Sequence, residues 1–192
     1  MAVIPQNYIP KHLPKKQKEK LRRELRKSRR AYKAKRYYTR KKVKGFKSKR
    51  SKWAGKVEKI YGVDTGKKDI VGQLSKASGC KRKSLDKIIK KGMGAYYSSG
   101  SRPSQTGHSW GYARLASAIT GGKSSAVDYH ILKDYCSKKS KALRLAKKFM
   151  RKHGKGTRKV RKIKLKGGST RKKKAQIQSK SKRINKAKSK IK

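Results

Sequence analysis

The chain has 192 residues, of which 63 are Lys or Arg and only 8 are Asp or Glu, giving a net charge of +55 at neutral pH. This length accommodates one domain of ordinary size. No segment approaches the ~20 apolar residues of a membrane span, and MAVIPQNYIP lacks the apolar core of a signal peptide. The sequence therefore predicts neither a membrane-spanning segment nor a secretory leader.

The excess of positive charge predicts a polyanionic partner. Nucleic acid is the favoured one, because Lys and Arg that replace counterions on phosphates give strong, salt-sensitive affinity that does not depend on sequence. An acidic protein surface or an anionic membrane face is the alternative. The charge lies mainly towards the two ends, and residues 137–192 contain no Asp or Glu. We expect these arms to be unfolded or only partly helical until a polyanion neutralises them.

The cysteines and histidines do not form a recognisable site. Cys80 and Cys136 make neither a CxxC pair nor a disulfide framework, which predicts free thiols in a reducing compartment. The four histidines are scattered and do not complete zinc-finger spacing with them. We expect no metal site and no cofactor.

The first segment, residues 1–14, is predicted to be an extended N-terminal anchor. Prolines at positions 5, 10 and 14 forbid a helix there. The segment carries the apolar side chains Ile4, Tyr8, Ile9 and Leu13. Such a peptide either docks into a groove of a neighbouring protein or frays as a chain end.

Residues 15–52 are predicted to be a basic helical arm, with helical periodicity from Lys15 to about Tyr38. A narrow stripe recurs at spacings of four, three and four residues: Leu21, Leu25, Ser28 and Tyr32. This stripe fits a partner-docking face or a short coiled-coil seam, although it is too short for sustained heptads.

Aromatic rings are interleaved with the basic residues of the arm, at Tyr32, Tyr37, Tyr38, Phe46 and Trp53. Such rings stack on bases or pack beside phosphates, or they anchor the arm to its own domain. The aromatic anchors predicted over the whole chain are Tyr8, Tyr32, Tyr37, Tyr38, Trp53, Tyr96, Tyr97 and Trp110.

Residues 53–153 are predicted to be a small, mostly helical core domain. Apolar periodicity and capping residues predict a helix after Asp64-Thr65 that ends at Gly79, SLDKIIKK with Ser84 as its cap, WGYARLASAIT with Ser109 as its cap, Val127 to Tyr135, and Ser140 to Lys152. The first two of these helices resemble a helix-turn-helix in outline. The spacing is loose, so a sequence-reading module is a minor alternative.

An ordered Gly/Ser-rich loop is expected over residues 92–108, where Tyr96 and Tyr97 allow a short hairpin. Residues 154–192 form a basic C-terminal tail in which VRKIKLK alternates like a strand. The predicted fold class is mainly α: a small helical domain with this ordered loop, flanked by long basic extended or helical arms.

Catalysis is not expected. His108 could act as a base for a nearby serine, but no carboxylate lies between Asp86 and Asp128 to orient it, and there is no GxSxG motif. The eight acidic residues are dispersed, unlike those of a metal nuclease. A nucleic-acid-processing enzyme centred on His108 is one hypothesis for this chain, beside the two structural roles given below. We predict no enzyme.

The string KKGMGAYYSSGSRPSQTGHSWGYARLASAITGGKSSAVDYHIL resembles a domain of no assigned biochemical function encoded by large nucleocytoplasmic DNA viruses, including chlorella viruses and their giant relatives. YIPKHLPKKQKEKLRRELRKSRRAYKAKRYYTRKKVKGFKSKRSK is similar to the basic segment that precedes that domain. Together they cover about residues 8–132. The resemblance implies a viral protein packaged in the virion, and it implies no catalytic residue.

The resulting hypothesis is a minor capsid protein in the inner layer of the capsid. Its basic arms would cement neighbouring capsid proteins, both the major capsid protein and other minor ones, near viral DNA or an internal membrane. During assembly it would pass through the host cytoplasm or nucleus. The alternative is a sequence-independent protein that binds and condenses the packaged DNA. The polyanion- or partner-binding residues predicted are Arg22, Arg23, Arg26, Arg29, Arg30, Arg36, Arg40, Arg102, Arg114, Arg158, Arg161 and Arg171.

Overall fold

The computed structural model describes residues 3–46, 51–66, 68–154 and 162–165. Within these ranges the chain forms eight α-helices and two three-residue strands, so the predicted mainly α class is confirmed. The helices are α1 (Lys15–Lys33), α2 (Lys52–Tyr61), α3 (Ile70–Ser78), α4 (Arg82–Ser99), α5 (Gly107–Ile119), α6 (Lys123–Val127), α7 (Tyr129–Tyr135) and α8 (Lys141–His153). The strands β1 (Val3–Pro5) and β2 (Lys162–Lys164) pair with each other. The chain divides into two units, Ile4–Ile163 and a second made of Met1–Val3 with Lys164–Lys192, and every described helix belongs to the first.

Helices α4 and α5 form the centre of the larger unit and cross closely. A Cβ atom added to Gly92 would lie 2.7 Å from the Cα atom of Gly111, and one added to Gly111 would lie 2.8 Å from the carbonyl oxygen of Ile89. Both distances are shorter than van der Waals contact, so glycine is what allows the two helices to approach this far. Helices α1, α3 and α7 pack on α4, while α2, α6 and α8 pack on α5.

The hydrophobic core is built from the inward faces of α2 to α5, α7 and α8. Its buried side chains include Val57, Val71, Leu74, Leu85, Ile88, Ile89, Leu115, Ile119, Ile131, Leu132, Leu143 and Ala146. Most of the chain is polar or charged, so these side chains supply most of the apolar surface that the fold buries. Burial of this surface is the main stabilising contribution to the fold. None of the described helices is long and apolar enough to cross a membrane.

The predicted helix end at Gly92 and the predicted loop over 92–108 are wrong in their first half, because α4 runs through this glycine to residue 99. Glycine costs a helix interior up to about 1 kcal/mol relative to alanine. Here the close α4–α5 crossing and the burial of Tyr96 and Tyr97 favour the helix. The hairpin suggested for this tyrosine pair does not form, and the loop is confined to residues 100–106.

The helix predicted from Ser140 to Lys152 is present as α8, and Ser140 caps it by accepting a hydrogen bond from the N–H of Leu143 at 3.2 Å. Other predicted helix boundaries shift. Thr106, rather than Ser109, is the N-cap of α5, because these two side chains bond each other's backbone N–H groups in a capping box. The single helix predicted over Val127–Tyr135 is instead two, α6 and α7, which meet at Asp128.

The caps of α3 and α4 also differ from the prediction. Asp69, instead of the Asp64-Thr65 pair, caps α3 by accepting a hydrogen bond from the N–H three residues later. Helix α4 begins at Arg82, two residues before the predicted cap Ser84. The hydroxyl of Ser84 donates to the carbonyl of the N-cap residue and adds to the turn that opens this helix.

The proline-rich N-terminal segment packs on its own chain. Ile4, Ile9 and Leu13 are buried. Tyr8 packs edge-on against Trp110, with 6.2 Å between the ring centroids. The described part of this segment is therefore neither frayed nor an open docking peptide, because these apolar side chains are covered within the chain, although Val3 is exposed.

The stripe predicted on α1 is an internal packing face. Leu21, Leu25 and Ser28 are buried where α1 packs on α4. The helix ends at Lys33, before the predicted end at Tyr38. The stripe is thus used within the chain, and α1 is not a coiled-coil strand in the described fold.

The prediction of free thiols is wrong, because Cys80 and Cys136 form a disulfide. Both residues are buried. The bridge joins the turn between α3 and α4 to the end of α7. Two backbone hydrogen bonds flank it, from the N–H of Lys81 to the carbonyl of Tyr135 and from the N–H of Ser137 to the carbonyl that precedes Cys80, both at 2.9 Å. The sequence separation of 56 residues hid this pairing, since only the tertiary packing brings the two segments together.

Candidate polyanion-binding surface

Some of the acidic side chains in the described ranges have partners within the chain. Glu24 accepts hydrogen bonds from the hydroxyl of Tyr38 and the N–H of Lys41, both at 2.9 Å. Asp69 caps α3 and pairs with Arg82 at 2.9 Å on the surface. Glu24 is thus held by uncharged groups, and Asp69 neutralises only Arg82.

A buried ion pair fastens α6 and α7 to the centre of the fold. Asp128 is fully buried, and Arg114 of α5 donates to its carboxylate through Nε at 2.7 Å and Nη2 at 2.8 Å. Lys91 of α4 adds a third contact at 2.9 Å. The side chain of Arg114 is 19% exposed and that of Lys91 is 40% exposed. The guanidinium of Arg114, predicted to bind a polyanion or an acidic partner, thus holds an acidic side chain of its own chain.

Arg40 occupies a partly buried site made of neutral groups. Its Nη1 donates to the hydroxyl of Ser28 at 3.2 Å and to the carbonyl of Tyr96 at 3.0 Å, and its Nη2 donates to the hydroxyl of Ser101 at 2.6 Å. The guanidinium also lies over the ring of Tyr96, 3.8 Å from its centroid. Burial lowers the pKa of Arg40 and raises the pKa of the adjacent Tyr8. Arg40 therefore ties the arm to both α4 and the loop after it.

Four of the predicted aromatic anchors meet beside Arg40. Tyr97 is 4.9 Å from Tyr96, 5.0 Å from Tyr37 and 6.4 Å from Tyr32, measured between ring centroids. Tyr96 and Tyr97 belong to α4, whereas Tyr32 and Tyr37 belong to the arm. Tyr37 is 75% exposed and forms the outer edge of the cluster. These contacts join the arm to α4.

The other predicted aromatic anchors lie apart from this cluster. Tyr8 and Trp110 form the edge-on pair described above. The ammonium of Lys27 lies 4.4 Å from the ring centroid of Tyr38 on the arm. Trp53 is on α2, where the ammonium of Lys56 lies 4.9 Å from its ring centroid. The structure therefore does not bring the eight aromatic residues into one stacking platform.

The predicted arginines are dispersed as well. Arg23, Arg30, Arg36 and Arg102 are exposed, and Arg22, Arg26 and Arg29 are half-buried on α1. Arg158, Arg161 and Arg171 lie outside the residues whose side chains are described. Helix α1 carries five of the twelve predicted arginines, of which Arg23 and Arg30 are exposed.

A second basic surface, on α8, was missed by the residue-level prediction. Apart from His153, its last residue, the exposed residues of its middle and end are all Lys or Arg: Arg144, Lys147, Lys148, Arg151 and Lys152. We call these five residues the α8 ridge. The sequence did contain the signal, because the apolar positions predicted for this helix leave only basic residues for its outer face. Selecting arginines alone omitted the lysines that complete the ridge.

The residues considered for catalysis do not assemble around His108. His108 is exposed in the first turn of α5, and Ser109 is engaged in the capping box. Ser98 and Ser99 lie within hydrogen-bond distance of each other at the end of α4. Among the described residues, no group of three or more His, Cys, Asp or Glu side chains is placed to hold a metal ion.

Comparison with known proteins gives one family. A sequence model described as a family of unknown function, DUF5824, matches residues 5–136. This match contains α1 to α7 and ends before α8. No curated protein and no solved structure matches the chain.

Proposed function

The chain belongs to the DUF5824 family of unknown function, and we propose that it is a structural, non-enzymatic protein that binds nucleic acid without reading its sequence. The setting we propose is the virion of a large DNA virus, which the resemblance of the central string supports. In this proposal the helical unit is a rigid carrier, and its basic surfaces make the contacts with phosphates.

The observation that carries this proposal is the separation of charge in the described residues. The carboxylates of Glu24 and Asp128 have partners inside the fold and that of Asp69 is paired on the surface, whereas Arg23 and Arg30 of α1 and the five cations of the α8 ridge face outward. A surface of one sign raises the local concentration of a polymer of the opposite sign. Phosphate contacts release counterions and carry no base specificity, so they suit a packaging or coating role.

The test is the salt dependence of binding between the full chain and a short DNA duplex. We expect the logarithm of the association constant to fall linearly with the logarithm of the salt concentration, with a slope of several units. Two duplexes of equal length and different sequence should bind alike. A slope near zero, or a strong preference for one of the two duplexes, would contradict the proposal.

A second candidate, the minor capsid protein beneath the shell, is favoured by an apolar groove of about 450 Å³ at the junction of α2, α3 and α5. Its lining includes Ala54, Val57, Ile70, Leu74, Tyr112, Ala113 and Leu115. A phosphate backbone has little apolar surface to bury there, whereas a segment of a neighbouring capsid protein does. In this role the partners are the major capsid protein and other minor capsid proteins.

Gentle disruption of purified virions separates the two candidates. Release of the chain together with the genome, and its dissociation from the genome at high salt, would support the nucleic-acid role. Retention with empty shells through high salt would support the capsid role. A copy number fixed by icosahedral symmetry would favour the capsid role, and one that scales with genome length would favour DNA binding.

A further inference from the structure

Helix α8 is held by its apolar face, which leaves the opposite face free. Ala142, Leu143 and Ala146 are buried, and the helix packs on α5, α6 and α7. The hydroxyl of Ser140 caps its N-terminus. A helix fixed on three neighbours presents its outer side chains in one orientation, so little backbone order has to be gained when a partner binds.

The α8 ridge is a compact row of five cations. With 100° between successive residues, the ridge covers an arc of about 140° centred roughly opposite the three buried residues, and Lys147 lies at the edge of this arc, nearest Leu143. The row extends over roughly 12 Å, the rise of eight residues at about 1.5 Å each. Duplex DNA carries about one negative charge per 1.7 Å of axis when both strands are counted, so a segment of this length carries about seven phosphates on its two strands, and only those on one side of the duplex can face the ridge. Five cations are therefore enough to contact the phosphates that one side of such a segment presents.

Nothing in the described part of the chain neutralises this ridge. The ion pairs found there involve Asp69 and Asp128, and residues 137–192 contain no Asp or Glu. Lys141, at the start of the same helix, is excluded from the ridge because its ammonium donates to the carbonyl of Ile60 at 2.7 Å. An open hollow lined by Tyr129, Lys147, Met150 and Arg151 lies alongside, so two of the ridge cations border free space.

Helix α1 is a poorer candidate for the same role. Glu19 and Glu24 interrupt its basic face. The ammonium of Lys27 lies over the ring of Tyr38, and the helix is also the attachment of the arm to α4. The outer face of α8 has neither acidic residues nor such internal contacts.

We propose that the α8 ridge is the surface on which the folded unit binds double-stranded nucleic acid, through phosphates and without base contacts. This inference rests on the proposed nucleic-acid-binding function and assigns it a location. That location lies beyond residues 5–136, so the matched family region does not contain it. A straight rigid helix suits the regular phosphate backbone of a duplex. A single strand would instead require several exposed rings in a row, and the eight predicted aromatic anchors do not form one.

The test compares two variants of the full chain that lose the same number of charges. The ridge variant carries Arg144→Gln, Lys147→Gln, Lys148→Gln, Arg151→Gln and Lys152→Gln. The control variant carries Lys15→Gln, Lys16→Gln, Arg23→Gln, Arg30→Gln and Lys33→Gln, all exposed positions of α1. Glutamine is a good helix former, so both variants should retain the wild-type circular dichroism and melting behaviour.

In a plot of the logarithm of duplex affinity against the logarithm of salt concentration, the line of the ridge variant should be less steep than that of the wild type by about four units. Each phosphate contact contributes about 0.9 to this steepness. The control variant should change the slope by less than half of that. A steep wild-type slope with equal losses in the two variants would overturn the inference and leave the proposed function standing. A flat wild-type slope would overturn both. A ridge variant that loses affinity only for single strands would also overturn the assignment to duplex.

Discussion

Removal of the Cys80–Cys136 disulfide is expected to lower the free energy of unfolding by about 4 kcal/mol. The bridge closes a loop with a sequence separation of 56 residues. A cross-link over this length removes about 14 cal/mol/K of entropy from the unfolded chain, which corresponds to about 4 kcal/mol at room temperature. The native arrangement should persist after reduction, because two backbone hydrogen bonds flank the bridge and the cysteines are embedded in the hydrophobic core.

Thermal unfolding followed by far-UV circular dichroism, with and without a thiol reductant, measures this contribution. For a chain of this size the expected loss lowers the Tm by about 8–16 °C, while the folded spectrum stays helical. The double variant Cys80→Ala, Cys136→Ala should match the reduced protein and should not respond to reductant. Equal Tm values with and without reductant, together with two reactive thiols in the denatured unreduced chain, would refute the reasoning.

Three further substitutions, two of them with a control substitution, test the packing and the buried charges, and all five variants are measured by urea unfolding. Gly111→Ala should lower the free energy of unfolding by about 1–3 kcal/mol, because its Cβ would lie 2.8 Å from a carbonyl oxygen of α4. The control Gly55→Ala has open space around its Cβ and should stabilise α2 by up to about 1 kcal/mol. Asp128→Asn should cost about 3–5 kcal/mol by leaving two cations beside a buried neutral amide. Asp69→Asn, at an exposed ion pair, should cost less than about 1 kcal/mol, and equal losses at the two aspartates would contradict this account. Arg40→Lys should cost about 2 kcal/mol, because an ammonium cannot reach all three of its partners, and an unchanged unfolding midpoint would show that these bonds contribute nothing.

Features that depend on neighbouring residues could be predicted from the sequence. The stripe on α1 and the apolar face of α8 follow from spacings of three and four residues, and both agree with the structure. The mainly α class follows from the same periodicity. The outward charge of α8 is a consequence of that pattern too, because a helix that buries its few apolar residues must expose the rest.

Features that join distant residues were decided only by the tertiary structure. The second half of α4 is helical despite Gly92, because the approach of α5 and the burial of two tyrosines outweigh the cost of glycine in a helix. The partners of the Asp128 carboxylate come from two elements, α4 and α5, and the two cysteines meet through the packing of α3, α4 and α7. Local sequence determines which faces a helix has, whereas the contact that each face makes depends on the whole set of packed helices. The amount of charge was therefore set by the sequence alone, and the tertiary structure decided which charges are neutralised inside and which remain on the surface.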